Sequence, residues 1–241
     1  MSSFSESLFQ NIFSKSDTGI KRVSLKNDGD YVILIPGLLL GPRSMNKIHN
    51  FLNNYGYQVL QLNCSIKKHS IQVLANSFLK NFITKNCLNK KRKIHFVTHS
   101  IGGIVVRKYL QDNHSLNIGK VVMLAPPNHG SESMDILIKI YFGKYLLGVS
   151  GRQISLHDKS YLLSLEQKVS FDLGVIAGSH ANILSLLYLS KKNDGVVSVE
   201  NTKILGMTEH LVLNKSHYSM LYSNEALTQI LCFLRSGKFD Y

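Results

Sequence analysis

With 241 residues, 44% of them hydrophobic and 18% charged, the chain can build one sizeable α/β domain or two small ones, which excludes wholesale disorder. Its 28 Lys and Arg against 15 Asp and Glu give a net charge of +13, a balance that raises nucleic acid or an anionic membrane as partners. The charge is spread along the chain, however. Its densest run, Lys90-Lys91-Arg92-Lys93, has no interleaved aromatic residues for base stacking, so it reads as a solvated face and no nucleic-acid partner is expected.

Residues 1–28 form an N-terminal extension rich in Ser, Lys and Asn, in which Phe4, Leu8, Phe9, Ile12 and Phe13 fall on one helical stripe. The stripe packs on the outside of the domain or makes a peripheral membrane contact. Glu6 and Gln10 leave the polar face little positive charge, which favours the first. No basic start precedes an apolar run, so no signal peptide is read, and no apolar stretch is long enough to span a bilayer. Cys64, Cys87 and Cys232 make neither a paired framework nor a metal spacing, as expected of reduced thiols in a cytoplasmic protein. No metal or organic cofactor is expected.

After the turn signal Asn27-Asp28-Gly29-Asp30, the apolar run Tyr31 to Ile35 predicts a strand buried on both faces. Pro36 to Leu40 follow as a loop, Met45 to Tyr55 as a helix closed by Gly56, and Tyr57 to Leu62 as the next strand. Ile66 to Leu88 is helical in pattern. Ile94, Phe96 and Val97 mark a third strand, and the spacing of Ile104, Val105, Lys108 and Tyr109 a third helix. Gly119 to Leu124 is a fourth strand, ended by Ala125-Pro126-Pro127. This alternation predicts an α/β fold with a mostly parallel central sheet and helices on both faces.

Residues 128–168 break the alternation. The stretch Ile136 to Leu147 is apolar nearly all round, and reads either as a buried helix pair or as an inserted lid over a greasy site. Phe171 to Ala177 resumes the strands, and Ile183 to Leu189 makes a second apolar excursion. His210 to Leu213 is the last strand and Glu225 to Leu234 the closing helix. With no internal repeat and no linker, residues 1–241 are expected to form a single domain.

Between the third strand and third helix stands Thr98-His99-Ser100-Ile101-Gly102-Gly103. A strand that becomes a helix within a few residues needs small residues there, and Gly102 and Gly103 supply them. Ser100 is then held at the tip of a sharp, strained turn in front of a helix N-terminus, a geometry suited to a nucleophile. Its partners should come from other loops after strands, where ligands gather in a parallel sheet. His217 lies in such a loop, and Asp194 in a tight Asn-Asp-Gly turn. His210 and Asp172 open their strands and so sit at the wrong edge, and His99 reads as a packing residue of the elbow. Asp135, His157, Asp158 and His180 lie in inserted segments, His180 being the strongest spare. In this arrangement His217 takes the proton from Ser100 and Asp194 orients the imidazole. The oxyanion donors are the N–H of Ile101 and of Leu38, the latter following Pro36, which has no N–H, and Gly37, which allows close approach.

These residues carry a resemblance. Ile-Pro-Gly-Leu at 35–38, Thr-His-Ser-Ile-Gly-Gly at 98–103, Pro-Pro-Asn-His-Gly-Ser at 126–131, Asn-Asp-Gly-Val-Val-Ser-Val-Glu at 193–200 and Ser-His-Tyr at 216–218 are together similar to the α/β-hydrolases, in particular the small bacterial lipases and esterases. The resemblance spans roughly Tyr31 to Leu234. It implies ester hydrolysis by Ser100, Asp194 and His217, with Leu38 and Ile101 at the oxyanion. Thr98 stands where that family usually has Gly, and Pro36 where it usually has His. The apolar excursions point to a lipid-like or medium-chain acyl ester. The alternatives are a thioesterase, a lysophospholipase, an acyltransferase on the same triad, or a binding protein that keeps the fold without turnover.

Overall fold

Tyr31–Ile35 form β1, five residues that are all buried because both faces of the strand are covered. The computed structural model describes residues 29–38, 40–114, 117–139, 143–156, 160–181 and 192–240. The N-terminal stripe and the apolar excursion at 183–189 lie outside the described residues. β1 pairs in parallel with β2 (Gln58–Gln61) on one side and β3 (Ile94–His99) on the other. The sheet continues through β4 (Ile118–Leu124), β5 (Leu173–Gly178) and β6 (Glu209–Leu213), giving six parallel strands in the order β2-β1-β3-β4-β5-β6.

Alternate residues of one strand enter separate cores. Ile33, Ile35, Phe96, Val121, Met123 and Val175 pack on one face, whereas Val32, Leu34, Val97, Val122, Leu124 and Ile176 pack on the other. The first face is covered chiefly by α2 (residues 71–86) and α3 (Ile101–Asp112). α2 is continuous through Ile71–Val73, a π-helical segment Leu74–Leu79 and Lys80–Asn86. The second face is covered by α1 (Asn46–Asn54), through Ile48 and Leu52, and by the closing helix Asn224–Ser236, through Ile230 and Phe233.

The helix expected from Ile66 is interrupted. A short 3₁₀ turn at Ile66–Lys68 gives way to extended backbone at His69 and Ser70, and the Ser70 hydroxyl then caps α2 by accepting from the Val73 N–H at 3.3 Å. Residues 128–168 contain α4 (Glu132–Lys139), α5 (Gly143–Arg152) and α6 (Ser160–Ser164). This segment is neither wholly buried nor wholly exposed. Met134, Leu147, Ile154 and Leu162 join the core, Ile136, Leu137 and Ile138 are half-buried, and Tyr145 is 84% exposed. Among the described residues no helix is long and apolar enough to cross a membrane.

Candidate active site

β3 ends at His99 and α3 begins at Ile101, so Ser100 alone makes the turn. Its backbone sits at φ 54°, ψ −129°, a region that costs a residue with a side chain about 1–3 kcal/mol. The surroundings hold it there. The Ser100 N–H donates to the Leu124 carbonyl at 2.8 Å, and the Ser100 carbonyl accepts from the Gly103 N–H at 3.0 Å. A Cβ on Gly102 would lie 2.6 Å from the Ile35 carbonyl oxygen and one on Gly103 3.0 Å from Met123 Sδ, so the two glycines let α3 close onto β1 and β4. Thr98, where the resembled family usually has glycine, is a fully buried residue of β3, and its hydroxyl has no hydrogen-bond partner among the described residues.

Asp194 and His217 meet beyond the carboxyl ends of β5 and β6. His217 Nδ1 and Asp194 Oδ2 are 2.7 Å apart, and the His217 N–H donates to the Asp194 backbone carbonyl at 2.9 Å. Asp194 Oδ1 accepts from the N–H groups of Val196 and Val197 at 2.9 and 2.8 Å. Both side chains are buried, at 2% and 3% residue exposure, so their hydrogen bond is shielded from water. The Asn193 side chain accepts from the Gly195 N–H at 2.8 Å and fixes the turn, with Gly195 at φ 96°. Gly178, the last residue of β5, is where the two loops converge. A Cβ there would stand 2.7 Å from Asp194 Cβ and 2.4 Å from the Lys215 carbonyl oxygen.

Ser100 and His217 line one cleft together with Gly37, Leu38, Leu40, His99, Met134, Val196 and Tyr218. Leu38, expected as an oxyanion donor, therefore borders the same space as Ser100. Ile101 opens α3, where an N–H has no carbonyl one turn back within its helix. Gly37 is needed for its lack of a side chain, since a Cβ would lie 2.8 Å from His99 Nδ1 and 3.3 Å from Ser100 Cβ. Burial, followed by the Asp194 carboxylate, raises the pKa of the Tyr218 phenol at the mouth.

The other candidates are elsewhere. His210 Nε2 pairs with the Thr202 hydroxyl at 2.9 Å, and Asp135 accepts from the Ser155 hydroxyl. The His180 side chain is exposed, and its backbone N–H donates to the Lys215 carbonyl in the 214–218 loop at 3.2 Å. Asp172 precedes β5 at the opposite edge, and His157 and Asp158 lie outside the described residues. Among the described residues no three His, Cys, Asp or Glu side chains gather as metal donors. One contact of His99 went unread in the sequence: it is buried, as a packing residue should be, but its Nε2 also reaches the His217 carbonyl at 3.0 Å.

No protein-family model matches the sequence, and no curated protein sequence does. Solved structures match it over most of its length. The mature form of a Bacillus licheniformis lipase superposes with a TM-score of 0.72 at 16% identity, covering 90% of this chain and 96% of its own. The chain has the α/β-hydrolase fold. A Legionella pneumophila phospholipase gives a TM-score of 0.67 at 16% identity over 87% of this chain and 60% of its own. A metagenomic carboxyl esterase gives 0.64 at 20% identity over 84% of this chain and 69% of its own. In this α/β-hydrolase fold Ser100 occupies the strand-to-helix turn after the third strand in sequence, and Asp194 and His217 follow the fifth and sixth.

Proposed function

We propose that the chain is a serine hydrolase that cleaves carboxylic esters, with Ser100 as nucleophile, His217 as general base and Asp194 as its orienting carboxylate. The observation that carries this reading is the buried His217–Asp194 pair at 2.7 Å, lining the same cleft as a serine on a strained strand-to-helix turn. In the forward step Ser100 Oγ bonds to the ester carbonyl carbon as its proton passes to His217 Nε2. The alkoxide leaves with that proton, forming an acyl-enzyme. Water then attacks the acyl carbon, giving its proton to His217, and Ser100 Oγ is released with that proton restored. Asp194 keeps the Nδ1–H tautomer and stabilises the imidazolium. The N–H groups of Leu38 and Ile101 receive the oxyanion, and losing one such donor costs on the order of a hundredfold in rate.

The structures it resembles are those of a lipase, a phospholipase and a carboxyl esterase, which supports ester chemistry in general. Leu38, Leu40, Met134 and Val196 give the cleft an apolar lining, which favours a lipid-like or medium-chain acyl group at about 0.8 kcal/mol per buried methylene. A fluorophosphonate probe should label the wild-type chain and not S100A, and hydrolysis of nitrophenyl esters should rise from acetyl to octanoyl. An unlabelled wild type overturns the reading. A flat chain-length series overturns the acyl preference alone, and product transfer to an added alcohol or thiol reassigns the enzyme among acyl-transfer reactions.

A further inference from the structure

His99 is covalently joined to Ser100, yet its side chain belongs to the other half of the site. The ring is 1% exposed, and its centroid lies 4.7 Å from that of His217 with the planes 51° apart. Its Nε2 is 3.0 Å from the His217 backbone carbonyl. A carbonyl only accepts, so Nε2 carries the hydrogen and Nδ1 is bare. Nδ1 is buried without a hydrogen-bond partner among the described residues, and it faces Gly37, whose absent side chain leaves it room. Burial first, and the adjacent His217 second, hold the pKa of the ring down to about 3. The ring therefore stays neutral, and the donor is always present.

His217 lies in a loop outside the strands and helices, at 214–218, and its other ties run one way. Its N–H and its Nδ1 both bond to Asp194, which anchors it to the turn after β5. The bond from His99 is the tie toward β3 and Ser100. With it, the main chain of His217 is held from both sides of the cleft. Without it, His217 is held, among the described residues, by hydrogen bonds from the Asp194 side only, and a displacement near 1 Å costs about a hundredfold in rate.

We infer that His99 is a positioning residue that fixes the separation of Ser100 and His217 by donating Nε2–H to the His217 carbonyl. Its kinetic consequence rests on the serine-hydrolase reading, whereas its tautomer rests on the hydrogen-bond geometry alone.

Two measurements test it. Nitrogen NMR of the full wild-type chain should find His99 as a neutral Nε2–H ring that does not titrate above about pH 5. An Nδ1–H tautomer, or titration above that pH, overturns the inference whether or not the protein cleaves esters. The second compares H99F, which keeps a ring and loses the donor, with H99Q, whose amide can donate to the same carbonyl. Turnover is expressed per site titrated with fluorophosphonate, and thermal melting checks that each variant folds. H99F should lower kcat about tenfold or more while KM moves less than about twofold, and H99Q should recover part of the loss. Wild-type kcat in H99F, or equal losses in both folded variants, overturns it. If H99F does not fold, the wild-type tautomer decides. A wild type that fails to react with fluorophosphonate sinks the hydrolase reading and leaves the tautomer test intact.

Discussion

Replacing Asp194 by Asn tests the orienting carboxylate with almost no change in shape. The direction in which the new amide must point follows from the structure. Oδ1 accepts from two N–H groups, of Val196 and Val197, and an NH₂ cannot replace it there. The amide oxygen takes that place, so the NH₂ faces His217 Nδ1 where Oδ2 now stands at 2.7 Å. Turning the amide over would leave two buried donors unpaired at about 1–3 kcal/mol each, or roughly 2–6 kcal/mol in all, far above thermal energy. Nδ1 must then accept, which moves the imidazole hydrogen to Nε2 and removes the base that the proposed mechanism requires. D194N should keep its fold and lose on the order of 10⁴ in kcat/KM on a nitrophenyl ester, with nitrogen NMR reporting the changed His217 tautomer. A folded D194N that keeps more than about a tenth of wild-type kcat/KM would refute this assignment of Asp194.

Gly178→Ala should destabilise the chain by about 1–3 kcal/mol in urea unfolding. Its Cβ would press on both Asp194 and the Lys215 carbonyl, so kcat should fall along with stability, and unchanged turnover would contradict the convergence of the two loops there. Acid should weaken the fold before it reaches ordinary carboxylate pKa values. His99 is held neutral by burial at a pKa of about 3, and His95 is likewise lowered by burial, with the Asp30 carboxylate opposing. Both have depressed folded pKa values, so their contribution is complete above the unfolded value of 6.5 and is lost as pH falls from there toward the folded values. Each fully titrating site adds a slope of up to about 1.4 kcal/mol per pH unit. Urea midpoints should decline from about pH 6.5 downward, less steeply in H99Q, and a flat profile to about pH 4.5 would refute the linkage.

The parts of this molecule that were legible in its sequence are those fixed by neighbours along the chain. A five-residue apolar run such as Tyr31 to Ile35 has to be covered on both faces, and Ser100 followed by Ile101, Gly102 and Gly103 announces a tight strand-to-helix turn. Asp194 and His217 could be chosen because parallel strands bring every second loop to one edge. What escaped depends on partners far away. The hydrogen bond from His99 to His217 spans 118 positions, and a histidine between Thr and Ser carries no sign of it. Arg107 on α3 looks like a surface residue and is 4% exposed. Its guanidinium donates to the Asn128 carbonyl and side chain at 3.1 and 3.2 Å and to the Glu166 carbonyl at 2.9 Å, and burial lowers its pKa to about 10. The break before α2 was signalled locally by Ser70, but the apolar pattern running through Ile66 and Ile71 masked it.

The strand order has a consequence for when this chemistry can begin. The polypeptide as far as Leu124 already supplies four neighbouring strands and the turn bearing Ser100, while His217 arrives only behind β6, the outermost strand on that side. Any partly folded or frayed form with that border detached presents an alcohol and no imidazole to activate it. On the proposed chemistry, hydrolysis is thereby reserved for the finished molecule, and loss of activity should precede loss of most secondary structure as denaturant is raised.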